Sequence, residues 1–220
     1  MEKTLIEPKA ANTTIISSSD GPTAVFVAGR NHRPNIKQRM QRRVFELRKR
    51  WYALWIKPGT HTMEEVVRYI KEKYHFVEIS QNSKKYHFLY EELRASFLMQ
   101  YQPELLGEYA AMPELSNHEE DGIQEFLSQM ELRKQKAKEV PENVFSLDYY
   151  YLEKKENDNH MEIQLESHFD YIGGGFSGKK HSNFRKICKD IYKYYGVSKE
   201  DIANNTKRYQ NLLRQLAMRH

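Results

Sequence analysis

The feature that most constrains this chain is the brevity of its apolar runs. Segments such as AVFVA (Ala24–Ala28) and FLM (Phe97–Met99) soon give way to charged or polar residues. A membrane-spanning helix needs about 20 consecutive, mostly apolar residues, and nothing here approaches that. The apolar side chains must therefore be buried by patterning, on one face of a helix or at alternate positions of a strand. The chain has 220 residues, 39 % of them hydrophobic and 12 % aromatic. That is too apolar for a disordered chain and enough for a sizeable core in one domain or two small ones.

Residues 1–12 read as a flexible lead and 13–220 as a single compact domain. Within that domain, a hairpin at 13–29 and a basic helix at 30–57 are semi-independent. TTIIS and TAVFVAG are β-branched and apolar, and Asp20-Gly21-Pro22 between them is turn chemistry. From Pro34 to Ile56, apolar residues recur at three- and four-residue steps, as on one helix face, and Pro58-Gly59 ends the run. Thr62 with Glu65 and Ser116 with Glu119 are capping boxes, and Ser198 with Asp201 caps a last helix reaching about Leu216. HFVEI reads as a short strand and 84–101 as a helix stopped by Pro103. NVFSLDYYYLEKK and HMEIQLESHFDYI alternate as two strands, and Asn157-Asp158-Asn159 supplies their turn. Gly173–Gly178 reads as a loop, followed by a helix from Lys179 to Tyr195 with Gly196 as its C-terminal cap. The expected fold is α+β with helix dominant: an N-terminal β-hairpin, a basic amphipathic helix, several short helices, a hairpin in the C-terminal half and two final helices.

SSDGPTAVFVAG resembles the Asp-Gly-Pro-Thr segment of sodium ion-translocating decarboxylase beta subunits. The chain is also similar to a set of small bacterial proteins that carry that label and open with this stretch. The similarity to the membrane subunit spans roughly residues 15–29. The resemblance implies that Asp20 is a sodium-coupling carboxylate, with Gly21, Pro22 and Thr23 forming the bend around it. A hard cation takes carboxylate and carbonyl oxygens, so the residue type fits. The residues alone support a second reading, a turn between two strands. A third is an exposed apolar edge, TAVFVAG, that pairs with a partner's sheet.

GGGFSGKK (173–180) matches Gly-x-x-x-x-Gly-Lys, the frame of a phosphate-binding loop. Lys180 occupies the position that needs Ser or Thr for magnesium, which argues against nucleotide hydrolysis. A weaker expectation is an anion held at a helix N-terminus by Gly174, Gly175, Gly178, Lys179 and Lys180.

Charge is unevenly spread. Residues 30–57 hold ten Lys/Arg against one acid, Glu46, for a net +9, which leaves 25 basic against 29 acidic residues elsewhere, or −4. Asymmetry of this kind speaks about partners. Both tryptophans lie in this segment. Arg39, Arg42, Arg43, Arg48, Lys49, Arg50, Trp51 and Trp55 are the candidate contacts. Nucleic acid would use the cations on phosphates and the aromatics for stacking. An anionic membrane surface would take the apolar stripe, and an acidic protein would meet both. The plain structural alternative makes Ile36, Leu47, Trp51 and Trp55 core residues.

No metal-binding or catalytic spacing stands out among the nine histidines. His160 and His168, with Asp170 and His181, are the set that would converge near the glycines. No cofactor is implied. The single cysteine, Cys188, leaves no internal disulfide or multi-thiolate metal site and sits at an apolar-periodic position expected to be core. MEKTLIEPKAANTT lacks the apolar stretch of a secretory signal, so the expected setting is reducing and cytoplasmic. The reading is a non-catalytic binding or regulatory module that engages an acidic partner through its basic helix. The alternatives are an accessory of the sodium-linked decarboxylase and a nucleic-acid-binding protein.

Overall fold

The computed structural model describes residues 16–17, 35–114, 120–179 and 181–218. The Asp20 turn, the TAVFVAG segment, the Ser116–Glu119 capping box and the 1–12 lead all lie outside them. The fold is α+β and helix-dominant. Its elements are β1 (Ile16–Ser17), α1 (Ile36–Ala53), β2 (Gly59–Thr60), α2 (Met63–Tyr74), β3 (Val77–Glu78), α3 (Lys84–Tyr101), a 3-10 segment Pro103–Tyr109, α4 (Glu120–Glu139), β4 (Tyr149–Glu156), β5 (Asn159–Glu166), β6 (Tyr171–Ser177), α5 (His181–Tyr195), β7 (Gly196–Val197), α6 (Lys199–Asn204) and α7 (Lys207–Ala217). Among the described residues, no helix is long and apolar enough to cross a membrane.

An antiparallel sheet in the order β1-β6-β5-β4-β3 divides the molecule. Strand alternation sorts the side chains to its two faces. Leu152, Met161, Ile163, Leu165 and Ile172 face the larger core, built with Val66 and Ile70 of α2, Phe184 and Ile191 of α5, and Leu212 and Leu216 of α7. Tyr149 and Tyr151 face the opposite way, onto Tyr86, Tyr90, Phe97 and Leu98 of α3. Helices therefore cover both faces of one sheet. Cys188 is buried in the larger core, as its spacing suggests, and burial pushes its thiol pKa up to about 12.

The local start signals work as the sequence implies. Thr62 Oγ1 accepts from the Glu65 N–H at 3.2 Å, and Glu65 Oε2 accepts from the Thr62 N–H at 2.8 Å. Ser198 and Asp201 form the same reciprocal pair. Two buried guanidinium groups tie the α3–α4 layer together. Arg94 donates to the carbonyls of Val140 and Phe145, and Arg133 donates to those of Met99, Tyr109 and Ala110.

The structure corrects the expected elements at three places. The glycine run is not a loop: Gly173, Gly174 and Gly175 lie inside β6, paired with β5 and, through Gly173 and Gly174, with β1. Packing explains the missing side chains. A Cβ on Gly174 would sit 2.8 Å from the Phe184 ring, and one on Gly173 would run into the Tyr171 ring. The expected C-terminal hairpin is thus a three-stranded meander, because Ser167–Asp170 turns the chain once more with Asp170 at φ 52°. Ile16–Ser17, within the TTIIS segment read as a strand, is a strand and pairs with β6; the rest of the expected 13–29 hairpin lies outside the described residues. The last expected helix is two, α6 and α7. Asn205 breaks it at φ 52°, a left-handed conformation that Asn tolerates, and Thr206 Oγ1 recaps the chain by accepting from the Tyr209 N–H.

Candidate functional site

Helix α1 carries the strongest anomaly in the molecule. None of its residues is buried. At about 100° per residue, Ile36, Met40, Val44, Leu47, Trp51 and Leu54 fall within an arc of about 80°. An arc of that kind normally faces a core. Here the half-buried positions are Val44, at the edge of the stripe, and Phe45, Arg48, Lys49, Tyr52 and Ala53, centred roughly 140° further round the helix by the same geometry. Tyr52 and Ala53 pack against the larger core, and Lys49 Nζ donates to Gln210 Oε1 on α7 at 3.3 Å. The apolar stripe is left in solvent: Trp51 is 56 % exposed, Trp55 68 % and Leu54 81 %.

The two tryptophan rings stand 6.0 Å apart, and Trp51 meets Tyr52 edge-on at 5.2 Å. This corrects the alternative in which Ile36, Leu47, Trp51 and Trp55 are core, since all four are exposed. Beside the stripe runs a groove of about 930 Å³ between α1 and α7, walled by Val44, Leu47, Trp51 and Tyr52 against Leu216 and Met218, with Lys189 among its lining. Lys189 Nζ is anchored there, donating to the Leu216 carbonyl at 2.9 Å and lying 5.1 Å from the centre of the Tyr52 ring.

Cations border the stripe. Arg39, Arg42, Arg43 and Arg50 are exposed and, with Glu46 among them, surround a second hollow floored by Leu47. Arg48 lines the groove on the other border. Of the eight candidate contacts, Arg48 and Lys49 are half-buried, and Lys49 is the one hydrogen-bonded to α7. Arg39, Arg42, Arg43, Arg50, Trp51 and Trp55 are exposed.

The remaining candidates fare differently. Asp20, Gly21, Pro22, Thr23 and Lys180 lie outside the described residues. Gly174 and Gly175 belong to a strand ladder, so they do not form a phosphate cradle before α5. Gly178 has φ 133°, and the following N–H, of Lys179, donates to Asn159 Oδ1 at 3.0 Å. His160 and His168 do not converge. They stand at opposite ends of β5, with His168 in the turn beyond its C-terminal end. His168 Nδ1 lies 3.1 Å from Glu166 Oε1. The fully buried Glu166 also accepts the backbone N–H groups of Asp148, His168 and Phe169, which makes it a structural anchor of the β5–β6 turn.

Sequence reasoning missed one polar cluster on the α3 side of the sheet. The register pairs Glu153 with Glu162 across β4 and β5, and His160 follows on the same face. Glu153 Oε1 accepts from Tyr151 Oη at 2.6 Å and from Lys85 Nζ, which also reaches Glu162 Oε1 at 2.8 Å. Burial opposes the charge on Glu153, but the Lys85 and Tyr151 hydrogen bonds outweigh it and hold the carboxyl below the usual range. Burial and the Glu153 carboxylate push the Tyr151 phenol well above its ordinary value. The alternation in HMEIQLE places His160 and Glu162 on one face, but the partner strand and the covering helix are long-range facts.

A second cluster joins α2 to α5. Asp190 Oδ2 accepts from Tyr69 Oη at 2.5 Å, Tyr74 Oη at 2.6 Å and Lys73 Nζ at 2.7 Å. No family model, curated protein or solved structure matches this chain.

Proposed function

We propose that the chain is a non-catalytic binding module that engages an acidic protein partner through α1. The observation that carries this reading is the apolar stripe of α1, turned away from the core and bordered by arginines. An exposed apolar strip of this length is the signature of a surface with a partner. The rotation of the helix matters more than its composition, because an amphipathic helix that merely packed would bury that strip.

Physical considerations favour one class of partner. A second copy placed symmetrically on α1 would bring together two surfaces of the same strong positive charge, and like charge facing like is costly. Nucleic acid would satisfy the arginines on phosphates and leave Ile36, Met40 and Leu54 hydrated. A bilayer is flat, whereas the α1–α7 groove is concave and accepts side chains from a convex element. An amphipathic helix with acidic flanks answers both the groove and the charge. A reducing, cytoplasmic setting goes with this reading, supported by the single buried thiol.

The probe is a fluorescent peptide with Leu and Phe at i, i+3, i+4 and i+7 and Glu on its flanks, titrated with the full chain at low and high salt. Phosphatidylserine vesicles, duplex DNA and single-stranded RNA serve as competing probes. Binding of the peptide, weakened by salt and abolished by Arg39→Glu with Arg43→Glu or by Trp51→Ala, supports the reading. Preference for a vesicle or a nucleic acid over the peptide overturns it.

A further inference from the structure

We infer that Glu153, His160 and Glu162 form a binding site for a first-row transition-metal dication, with zinc as the best fit, and that Lys85 occupies it when metal is absent. This site lies on the sheet, away from α1, and does not depend on the reading of that helix.

Geometry comes first. One donor atom from each of the three residues lies within 4.8 Å of the other two. Three ligands around a tetrahedral zinc, each bound at about 2.1 Å, stand about 3.4 Å apart. His160 Nε2 is 3.6 Å from Glu153 Oε2, and His160 Nδ1 is 3.5 Å from Glu162 Oε1. Both spacings are too long for hydrogen bonds, but they use different ring nitrogens, and one imidazole gives an ion only one of them. The Nε2–Glu153 spacing is close to what a shared metal imposes, and Glu162 completes the set by side-chain rotation within the 4.8 Å span. All three residues project from directly paired strands, so small side-chain rotations close the set without moving backbone.

The state of the imidazole is the second observation. His160 Nε2 is buried and finds no hydrogen-bond partner among the described residues. A buried ring nitrogen without a partner is costly, and one facing a carboxylate oxygen at 3.6 Å suits a cation between them. Charge agrees: two carboxylates face one ammonium, that of Lys85, whose side chain is 44 % exposed and free to swing outward. Tyr151 engages only Oε1 of Glu153, which leaves Oε2 available.

The third observation is space. On β6 the residue opposite Glu162 is Gly175, and even a Cβ there would come within 3.3 Å of Glu162 Oε2. A bare backbone beside the carboxylate leaves room for an ion and its water. An imidazole with two carboxylates selects zinc, manganese or iron over calcium and magnesium, which take oxygen donors. Three protein ligands leave a fourth position open.

The test is a competition titration of the full chain against a chromophoric chelator with Zn²⁺, Mn²⁺, Mg²⁺ and Ca²⁺ in turn. One equivalent of Zn²⁺ is expected to bind, with Mg²⁺ and Ca²⁺ failing. His160→Ala and Glu162→Gln should each weaken binding by tenfold or more, and Lys85→Met should tighten it by about tenfold, since the competing ammonium is gone. Circular dichroism of each variant separates lost binding from lost fold. Lys85→Met serves as a gain-of-affinity variant that a misfolded protein would not mimic. Absence of Zn²⁺ binding, or binding that ignores both His160→Ala and Lys85→Met, overturns the inference.

Discussion

Gly196 shows how one residue fixes a junction. It follows α5 at φ 64° and pairs with Thr60, and a Cβ there would collide with the Gly59 carbonyl oxygen. Gly196→Ala should therefore destabilise the chain by roughly 2–4 kcal/mol, combining left-handed strain with a backbone clash. A urea titration reads this as a lower midpoint with little change in slope. Glu166 makes the complementary case, since its buried carboxylate holds three backbone N–H groups. Glu166→Ala orphans those donors and should cost roughly 3 kcal/mol or more. Both residues are plain in the sequence, and only one role was legible. Gly after a helix announces a left-handed cap. Glu in an alternating strand announces a solvated face, and nothing local reveals that the next turn folds back over it.

Between elements, the Asp190 cluster links α2 to α5. Burial works to raise the Asp190 pKa, but the hydrogen bonds from Lys73, Tyr69 and Tyr74 outweigh it, so the net shift is downward. A carboxylate with a depressed folded pKa contributes stability above its unfolded value near 3.9, and that contribution fades as pH falls through the folded value. Asp190→Asn should thus lower the urea midpoint at pH 7, and its deficit should shrink below about pH 4. A deficit of constant size down to pH 2 would show that the cluster acts by packing alone.

Helix α1 supports a different contrast. Leu54→Ser and Met40→Ser, on the solvent side, should change stability by less than about 0.5 kcal/mol, while Tyr52→Ala, on the packed side, should cost about 1–3 kcal/mol. Equal costs on both sides would mean that the stripe is buried in solution.

At this scale the sequence was informative where the signal is local. The Thr62 and Ser198 boxes and the 84–101 helix follow from nearest neighbours. The strand identity of Gly173–Gly175 does not, because glycine carries no strand preference. Its extended form comes from β5 and β1 pairing on either side and from the Phe184 and Tyr171 rings over it.

Taken whole, the molecule is an antiparallel sheet clothed by helices on both faces, with one further helix whose amphipathic pattern is turned outward. The periodicity of α1 was readable from sequence, but its rotation was not, because 3.6-residue spacing marks a stripe without saying what lies against it. The eight candidate contacts were chosen by charge and aromaticity, and the fold half-buries Arg48 and Lys49 while leaving the other six exposed. The Glu153–His160–Glu162 set was hidden for the same reason, since it is assembled by strand register across two elements. Both features place chemistry on opposite sides of the structure, one for a macromolecular partner and one for a metal ion.

The central claim is that the α1 stripe is free and made for an acidic partner. The most direct measurement is tryptophan emission, because both tryptophans lie on or beside that stripe. The free chain should emit as a solvent-exposed indole and be readily quenched by acrylamide. Adding the Glu-flanked amphipathic peptide at low salt should shift emission to the blue and protect it from quenching, and high salt should reverse both effects. Emission that starts blue, resists acrylamide and does not respond to peptide or salt would place Trp51 and Trp55 in a closed interior and contradict the claim.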